Sequence, residues 1–232
     1  MIALRRVRRR FLPVHIRADM RDTDLLVALM EEVLEPDSDC LDVGAHAGSV
    51  LREMTRVAPA GRHVAWEPLP DFAAGLRKAY PAVEVREAAL SDESGESEFA
   101  HVLADPGWSG FVHRPTPAGD RVETITVRTE RLDDALPAGV EPAFIKIDVE
   151  GAEERVLRGA VETLRRHRPV IAFEHGLGSA DHYGTTPAAI HQLLAGELGY
   201  TLFSLDGDGP YDEPRFGEVV ATGERVNFAA RP

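Results

Sequence analysis

The sequence holds a single cysteine, Cys40, among its 232 residues. One thiol excludes an internal disulfide framework, so the chain is compatible with a reducing compartment and we expect a cytoplasmic protein. No apolar run approaches the length that a membrane span needs. The apolar stretch 11–14 behind the arginine-rich start is also too short for the core of a signal peptide, so we expect no membrane partner.

Basic residues are scarce relative to acidic ones, with 26 Lys and Arg against 39 Asp and Glu and a net charge of −13. Nonspecific nucleic-acid binding requires a basic field, so this balance argues against a nucleic-acid partner and favours a small-molecule substrate. The hydrophobic fraction of 44% is ordinary for a globular protein. The length suits one α/β domain over residues 1–232.

Apolar strand patterns alternate with helical patterns along most of the chain. Strands are expected near residues 40–43, 63–67 and 83–90, with helices between them, and this order predicts parallel strands joined by right-handed crossovers. The same rhythm returns at 143–148 and 169–174, and two last strands are expected at 200–205 and 225–229. The sequence therefore predicts an α/β fold with a doubly wound, mostly parallel sheet.

Two regions depart from this rhythm. Residues 1–38 are expected to form a cap before the catalytic core of residues 39–232, with an edge strand at 13–17 and a helix that begins at 22–24. Residues near 95–131 show two alternating stretches around a segment rich in Gly and Pro, which predicts an antiparallel ribbon with an exposed tip. The acidic stretch 206–218 is interpreted as a solvated loop.

The segment 40–48, with the sequence CLDVGAHAG, has the pattern of a strand followed by a tight glycine turn and a helix. Glycines allow positive φ and leave room for a ligand beside the backbone, and the free N–H groups of the helix start face that ligand. On its own the pattern indicates a nucleotide-like molecule above a parallel sheet.

Carboxylates cluster where the predicted parallel strands end. Asp42 lies in the first strand, and Glu67, Asp148 and Glu174 end later strands, at the edge where open α/β sheets bind ligands. Such a ring suits a cationic ligand, and the dinucleotide pattern GxGxxG is absent. S-adenosylmethionine carries a sulfonium and no phosphate, and Glu67 is placed to accept its ribose hydroxyls. An NAD(P)-dependent oxidoreductase and a catalytically silent binding module remain as alternatives.

Several motifs together resemble the FkbM-type methyltransferases. They are DVGAHAG at 42–48, WEPLP at 66–70, AALSD at 88–92 with Gly95, and above all IKIDVEGAE at 145–153, and the likeness covers most of the chain from Asp24 onward. The resemblance implies a class I, Rossmann-like methyltransferase with a seven-stranded sheet. It also implies O-methylation of a small molecule such as a sugar or a natural product, with S-adenosylmethionine as the cofactor.

The resemblance also assigns roles to residues. It implies that Asp42, Gly44, Ala45 and Gly48 line the methionine end and the sulfonium, that Glu67 holds the ribose, that Ala89, Leu90 and Asp92 lie along the adenine, and that Asp148 faces the reaction centre. His46 stands where the family often has Asn, and both side chains can form hydrogen bonds at the cofactor.

Methylation of an alcohol requires a base near the acceptor. The candidates for the base are Asp148, Glu174 and His175, with Lys146 as an orienting cation. Each also has a purely structural interpretation, such as an ion pair for Lys146 or a satisfied buried ring for His175. Asp148 and Glu174 are also oxygen ligands of the kind that Mg²⁺ prefers, but no dense cluster enforces a metal, so no metal ligand is assigned.

The residues that recognise the acceptor are expected on loops. Trp108 and His113 lie on the ribbon tip, Tyr183 follows the fifth strand of the main sheet, and Arg17 and Asp24 belong to the N-terminal region. The sequence does not decide the acceptor, the choice between O- and N-methylation, the base or the oligomeric state.

Overall fold

The structure is a computed structural model that describes residues 14–115 and 120–232, with side chains described from Arg21 onward. Ten strands are found among these residues: β1 Asp39–Val43, β2 His63–Trp66, β3 Glu84–Arg86, β4 Ala89–Leu90, β5 Gly95–Val102, β6 Val122–Glu130, β7 Pro142–Ile147, β8 Val170–Glu174, β9 Thr201–Ser204 and β10 Asn227–Arg231. Within the described ranges the helices are α1 Val14–Val33, α2 Ser49–Val57, α3 Pro70–Ala79, α4 Leu132–Ala135, α5 Glu153–Arg158, α6 Val161–His167, α7 Pro187–His191 and α8 Glu213–Thr222. A π-helical turn, Gln192–Glu197, continues α7.

Seven strands form one sheet in the order β3-β2-β1-β7-β8-β10-β9. The first five are parallel to their neighbours, and β10 is antiparallel to both β8 and β9. The register sets Asp42 beside Lys146 and Lys146 beside Ala172. This is the doubly wound, mostly parallel, seven-stranded sheet that the sequence and the family resemblance predict.

Alternation along the strands divides the core between the two faces of the sheet. Cys40 and Phe144 pack with α1 and α2 on one face, whereas Leu41, Ile145 and Phe173 pack with α5 to α8 on the other. Because side chains of a strand alternate in direction, Asp42, Lys146 and Glu174 point to the α1/α2 face. Three charged side chains at the carboxyl ends of neighbouring strands therefore share one side of the sheet.

The ribbon insertion is present as expected. β5 and β6 pair antiparallel from Gly95 opposite Thr129 to Val102 opposite Val122, and β4 joins β6 as a short parallel strand. The chain beyond β5 folds back, and Ala100 and Gly110 exchange two backbone hydrogen bonds of 2.8 and 3.1 Å. The tip of the ribbon thereby returns towards the main sheet instead of extending into solvent.

Four local predictions differ from the structure: an edge strand, a helix start, a loop and an undivided strand. Residues 14–17 of the expected edge strand belong to α1, and Pro13 lies outside the described residues. The helix does not begin at Asp22: this carboxylate lies inside α1 and accepts a 3.0 Å hydrogen bond from the Asn227 side chain. The helix places Leu26, Leu29 and Met30 against the sheet, and that burial outweighs the weak alternation of the preceding residues.

The expected loop at 206–218 contains the first half of α8. Asp212 caps this helix by accepting a 2.9 Å hydrogen bond from the Arg215 backbone, and Phe216, Val219 and Val220 are buried at helical spacing. The expected strand at 83–90 is also divided, since β3 joins the main sheet and β4 joins the ribbon. Among the described residues, no helix is both long and apolar enough to cross a membrane.

Candidate active site

A cleft lies at the carboxyl ends of β1, β2 and β7, and it holds about 980 Å³ of space including its open mouth. Its wall includes residues from the glycine turn, the ends of three strands and the ribbon: Asp42, Gly44, Ala45, His46, Glu67, Leu69, Ala89, Leu90, Phe99, Pro106, Gly107, Ser109, Phe111, Lys146, Asp148 and Glu150.

The glycine turn contacts the end of β2 on one side and the residues that follow β7 on the other. Gly44 has φ of +81°, and a Cβ there would lie 1.9 Å from the carbonyl oxygen of Asp148. Its N–H and that of Ala45 both donate to the carbonyl of Trp66, at 3.0 and 3.1 Å. A side chain at Gly44 would therefore push apart the two strand ends that form the cleft.

Glu67 fixes the next part of this turn. Its Oε2 accepts the backbone N–H of His46 and its Oε1 accepts that of Leu69, both at 2.8 Å. Burial raises the pKa of Glu67, and the two amides act in the opposite direction. The same carboxylate lines the cleft, so it organises the turn while it remains accessible to a ligand.

His46 departs from the family pattern and is held by an aromatic neighbour. Its ring stacks on Phe72 at 4.2 Å between centroids, and its backbone has φ of +46°. The ring lies at the cleft wall, where an imidazole nitrogen can serve as a hydrogen-bonding group.

Lys146 is the cation at the centre of the cleft floor. Its Nζ donates to Asp148 Oδ2 and to the carbonyl of Ile147, both at 3.2 Å, and the side chain is buried. Burial alone would lower the pKa of Lys146, but the carboxylates of Asp148, Glu174 and Asp42 together raise it. Lys146 therefore stays charged and orients Asp148, whose side chain is 40% exposed.

Two carboxylates beside this pair hold their protons unusually well. Burial raises the pKa of Asp42 to about 7, and its Oδ2 has no hydrogen-bond partner. Burial, followed by the negative charge of Asp148, raises the pKa of Glu174 to about 8. The group thus combines one cation with carboxylates that exchange protons near neutral pH, which is suited to proton transfer.

The turn after β7 is held in shape by a buried carboxylate, Glu153. Glu153 Oε1 accepts the backbone N–H groups of Val149 and Gly151, at 3.2 and 3.1 Å, and burial raises the pKa of Glu153 to about 7. Gly151 has φ of +105°, and a Cβ there would lie 2.6 Å from the backbone of Ser179. These contacts explain why Gly151 and Glu153 occur in the segment VEGAE at 149–153: together they fix the backbone that follows Asp148.

The opposite wall is apolar. Ala89 and Leu90 line it, and they are joined by Phe99 and Phe111, whose rings meet edge to face at 5.5 Å. The two phenylalanines, together with Pro106, Gly107 and Ser109, are cleft residues that sequence reasoning missed. The aromatic and Gly/Pro-rich composition of the ribbon was the available signal.

Some predicted cofactor and catalytic residues lie outside the cleft wall. Gly48 lies behind it, in contact with Leu76 and Tyr80, and Asp92 is exposed and accepts a hydrogen bond from Ser91. Glu174 adjoins the charged group without lining the cleft. His175 is 1% exposed, its ring stacks on Phe216, and burial lowers its pKa to about 4. A buried ring on the opposite face of the sheet does not reach an acceptor, so His175 is removed from the candidates for the base.

The structure does not gather the predicted acceptor residues at the cleft wall. Trp108 lies on the turn that carries Pro106 and Gly107, His113 is exposed, and the Tyr183 hydroxyl accepts the Val112 backbone N–H at 3.3 Å. Asp24 is exposed on α1, and the side chain of Arg17 is outside the described residues. Of these, Trp108 and Tyr183 support the ribbon segment that forms the wall.

The described residues were predicted to include two oxygen ligands of the kind that Mg²⁺ prefers, Asp148 and Glu174. Within residues 14–115 and 120–232, no group of three or more His, Cys, Asp or Glu side chains is placed to hold a metal ion. Asp148, one of the two oxygen ligands considered for Mg²⁺, is paired with Lys146.

Comparison with known proteins agrees with this architecture. A family model described as the methyltransferase FkbM domain matches residues 42–202. The 2-O-methyltransferase NoeI of Sinorhizobium fredii is 33% identical over an alignment of 159 positions. The alignment covers 62% of this chain and 64% of NoeI. The hexuronic acid methyltransferase AglP of Haloferax volcanii is 27% identical over 183 residues, 76% of this chain and 70% of AglP.

The fold has a solved counterpart. The crystal structure of a methyltransferase FkbM from Methylobacillus flagellatus superimposes with a TM-score of 0.53 at 15% identity, covering 86% of this chain and 45% of that one. The matched family model spans the glycine turn, the charged group of Lys146 and Asp148, and strand β8 that follows. This chain belongs to the FkbM methyltransferase family.

Proposed function

We propose that this chain transfers a methyl group from S-adenosylmethionine to a hydroxyl oxygen of a small molecule, a sugar or a related natural product. The observation that carries the proposal is Asp148, a partly exposed carboxylate that Lys146 orients at 3.2 Å beside the glycine turn of the cleft. The names of NoeI and AglP, a 2-O-methyltransferase and a hexuronic acid methyltransferase, support a sugar-like acceptor.

The cleft suits the proposed cofactor. Gly44 and Ala45 leave room for its amino-acid end, and Asp42 brings negative charge and an unpaired Oδ2 to a site that would hold a sulfonium. Glu67 keeps free lone pairs for the ribose hydroxyls, and Leu90 belongs to the apolar wall suited to the adenine. S-adenosylmethionine supplies a methyl group on a positively charged sulfur, which a ring of carboxylates favours.

Asp148 and Lys146 would handle the acceptor hydroxyl. The hydroxyl proton must leave as the oxygen is methylated, and Asp148 is the cleft carboxylate placed to accept it. The Lys146 ammonium group would hold the oxygen in line and stabilise its developing negative charge. Glu174, whose pKa burial and the charge of Asp148 raise to about 8, already holds a proton at neutral pH, which leaves Asp148 as the carboxylate that accepts the proton of the acceptor.

Ligand binding tests the cofactor assignment directly. Isothermal titration of the full chain with S-adenosylhomocysteine is expected to show micromolar or tighter binding, and NAD is expected to show none. Binding of NAD without binding of the adenosyl ligand would overturn the proposal in favour of the oxidoreductase.

Turnover tests the acceptor class. The protein is incubated with S-adenosylmethionine and a panel of neutral sugars, uronic acids and amino sugars, and the products are analysed by mass spectrometry and by NMR of the new methyl group. An O-methyl signal is expected, whereas an N-methyl signal contradicts the oxygen acceptor. Cofactor binding without turnover on any panel member favours the catalytically silent module.

A matched pair of variants isolates the base. Asp148→Asn is expected to lower kcat by about 100-fold or more, the usual size of a general-base effect, while S-adenosylhomocysteine affinity stays close to that of the wild type. Asp92→Asn makes the same chemical change at an exposed carboxylate outside the cleft and is expected to leave kcat unchanged. Equal activity of Asp148→Asn and the wild type would remove Asp148 from this role.

A further inference from the structure

The tip loop, residues 103–115, forms one wall of the cleft through Pro106, Gly107, Ser109 and Phe111. Its own backbone is well defined: the Ser109 hydroxyl accepts the Val102 N–H at 3.0 Å, and Gly110 pairs with Ala100. These contacts tie the loop to the ribbon. They do not tie it to the main sheet, where the charged group lies.

Arg114 links the tip loop to the main sheet, beside the hydrogen bond from the Val112 N–H to the Tyr183 hydroxyl. It is 5% exposed, and its guanidinium donates to Glu150 Oε2 at 2.5 Å and to the carbonyl of Gly178 at 3.2 Å. It also lies over the ring of Trp108, at 5.1 Å from the ring centre. One buried cation therefore joins the tip loop, the turn after β7 and the loop after β8.

Glu150 is the partner that matters for the cleft. It lines the cleft two residues after Asp148, and its backbone has φ of +57°, a region that residues other than glycine seldom adopt. Such a conformation persists when the surroundings enforce it. The enforcing contacts are the Glu153 cap, which holds the N–H groups on either side of Glu150, and the ion pair with Arg114.

We propose that Arg114 is a positioning residue that acts through Glu150: it couples the tip loop to the turn that carries Asp148 and so aligns the two walls of the cleft. The structural coupling stands apart from the reaction, and its catalytic consequence rests on the function proposed above. Because the guanidinium is buried and two of its partners are backbone or carboxylate oxygens, its loss leaves Glu150 and Gly178 without their donor.

Hydrogen exchange tests the coupling without any acceptor. Both segments contain amides held by backbone or side-chain bonds, those of Trp108, Ser109 and Gly110 in the loop and those of Val149 and Gly151 in the turn. Arg114→Gln is expected to speed exchange in the turn by about tenfold, and Glu150→Gln is expected to speed exchange in the loop by a similar factor. Each substitution is thus read out in the segment that does not carry it.

Arg121→Gln is the control. It removes an exposed Arg–Glu pair on the same ribbon, the 2.6 Å contact to Glu123, and is expected to change exchange in neither segment. Faster exchange confined to the segment that carries the substitution would overturn the coupling. If Arg114→Gln does not fold, Glu150→Gln and Arg114→Lys decide the question by the same measurement.

The rate is divided by the concentration of S-adenosylhomocysteine-binding sites, so that unfolded protein does not lower the kcat that is measured. Arg114→Gln is expected to lower this kcat by about 10- to 100-fold, the size expected for a misplaced reacting group. Arg114→Lys keeps the charge but loses the fork of donors, and is expected to recover part of the loss. The double variant with Glu150→Gln is expected to be no slower than Arg114→Gln alone, because the two residues act through each other.

The outcomes separate the two proposals. If the wild type binds no S-adenosylhomocysteine, the proposed function fails, and the coupling is judged by hydrogen exchange alone. If the wild type turns over and Arg114→Gln has an unchanged kcat per site, the positioning role is refuted while the function stands. Losses in the double variant that multiply would also refute action through Glu150.

Discussion

Asp42 is a buried carboxylate whose charge should destabilise the fold. Burial raises its pKa from an ordinary 3.8 to about 7. At a pH below 3.8, Asp42 is protonated in both the folded and the unfolded chain, and its contribution to stability is fully present. As the pH rises, the unfolded chain releases the proton first, so stability is lost progressively up to about pH 7. The contribution of Asp42 to wild-type stability is therefore expected to fall between about pH 4 and pH 7.

The size of this effect follows from the same pKa change. A shift of about three pH units corresponds to about 4 kcal/mol as an upper bound, and effective dielectric relaxation reduces it to about 2 kcal/mol at pH 8. Asp42→Asn replaces the acid by a neutral side chain of the same shape that imitates its protonated form. The variant is expected to match the wild type at about pH 3.5, where Asp42 is protonated in both states, and to be more stable by about 2 kcal/mol near pH 8.

Urea unfolding followed by circular dichroism at several pH values measures this difference. Asp37→Asn is the control, since it makes the same change at an exposed position of the same segment, and it is expected to follow the wild type at every pH. Equal or lower stability of Asp42→Asn at alkaline pH would refute the reasoning. The stabilised variant is expected to bind S-adenosylmethionine more weakly, because the charge that destabilises the fold is the one that favours a sulfonium, whereas the neutral sulfur of S-adenosylhomocysteine is expected to be affected less.

Three further predictions follow from the cleft. Gly44→Ala is expected to lose about 3 kcal/mol or more of unfolding free energy, since its Cβ would lie 1.9 Å from a carbonyl oxygen, whereas Gly75→Ala meets no atom within 4 Å and is expected to be neutral or stabilising in urea unfolding. Glu67→Gln replaces one of two acceptor oxygens by a donor and is expected to weaken S-adenosylhomocysteine binding by about 10-fold or more in calorimetry. His175→Phe is expected to keep kcat and its pH profile. Because burial lowers the pKa of His175 to about 4, the wild type loses stability through this group as the pH falls from about 6.5 towards 4, and His175→Phe is expected to remove that loss. A lost activity would return His175 to the candidates for the base.

The sequence predicted the parts of the molecule that repeat a local rule. Strand, glycine turn and helix around Gly44 follow from a pattern of nine residues, and the parallel sheet follows from the alternation of such units. The edge strand near Val14 and the loop at 206–218 were wrong for a common reason. In both, a few weakly patterned residues were judged alone, whereas the burial of later residues such as Leu26 or Phe216 decides for a helix.

The wall formed by the tip loop was beyond local patterns. Arg114 lies in a segment rich in Pro and Gly, and nothing in its neighbourhood indicates that it meets Glu150, 36 residues later. The pairing depends on the ribbon folding back and on a backbone conformation at Glu150 that its side chain does not favour. Long-range contacts of this kind follow from the assembled fold and leave no signal at fixed spacing.

One feature of the site could, however, have been predicted from the sequence: the face of the sheet to which each charged side chain points. It follows from parity, the alternation of side chains between the two faces along a strand. In β8, Phe173 packs on the face of α5 to α8, so Glu174 points to the other face and His175 returns to the first, where it meets Phe216. Lys146 in β7 and Asp148 just beyond it share the face of Glu174 by the same count. Parity therefore separates the carboxylates of the charged group from the buried imidazole. Of these carboxylates Asp148 lines the cleft, which is why the proposed function uses Asp148, and not His175, as the base.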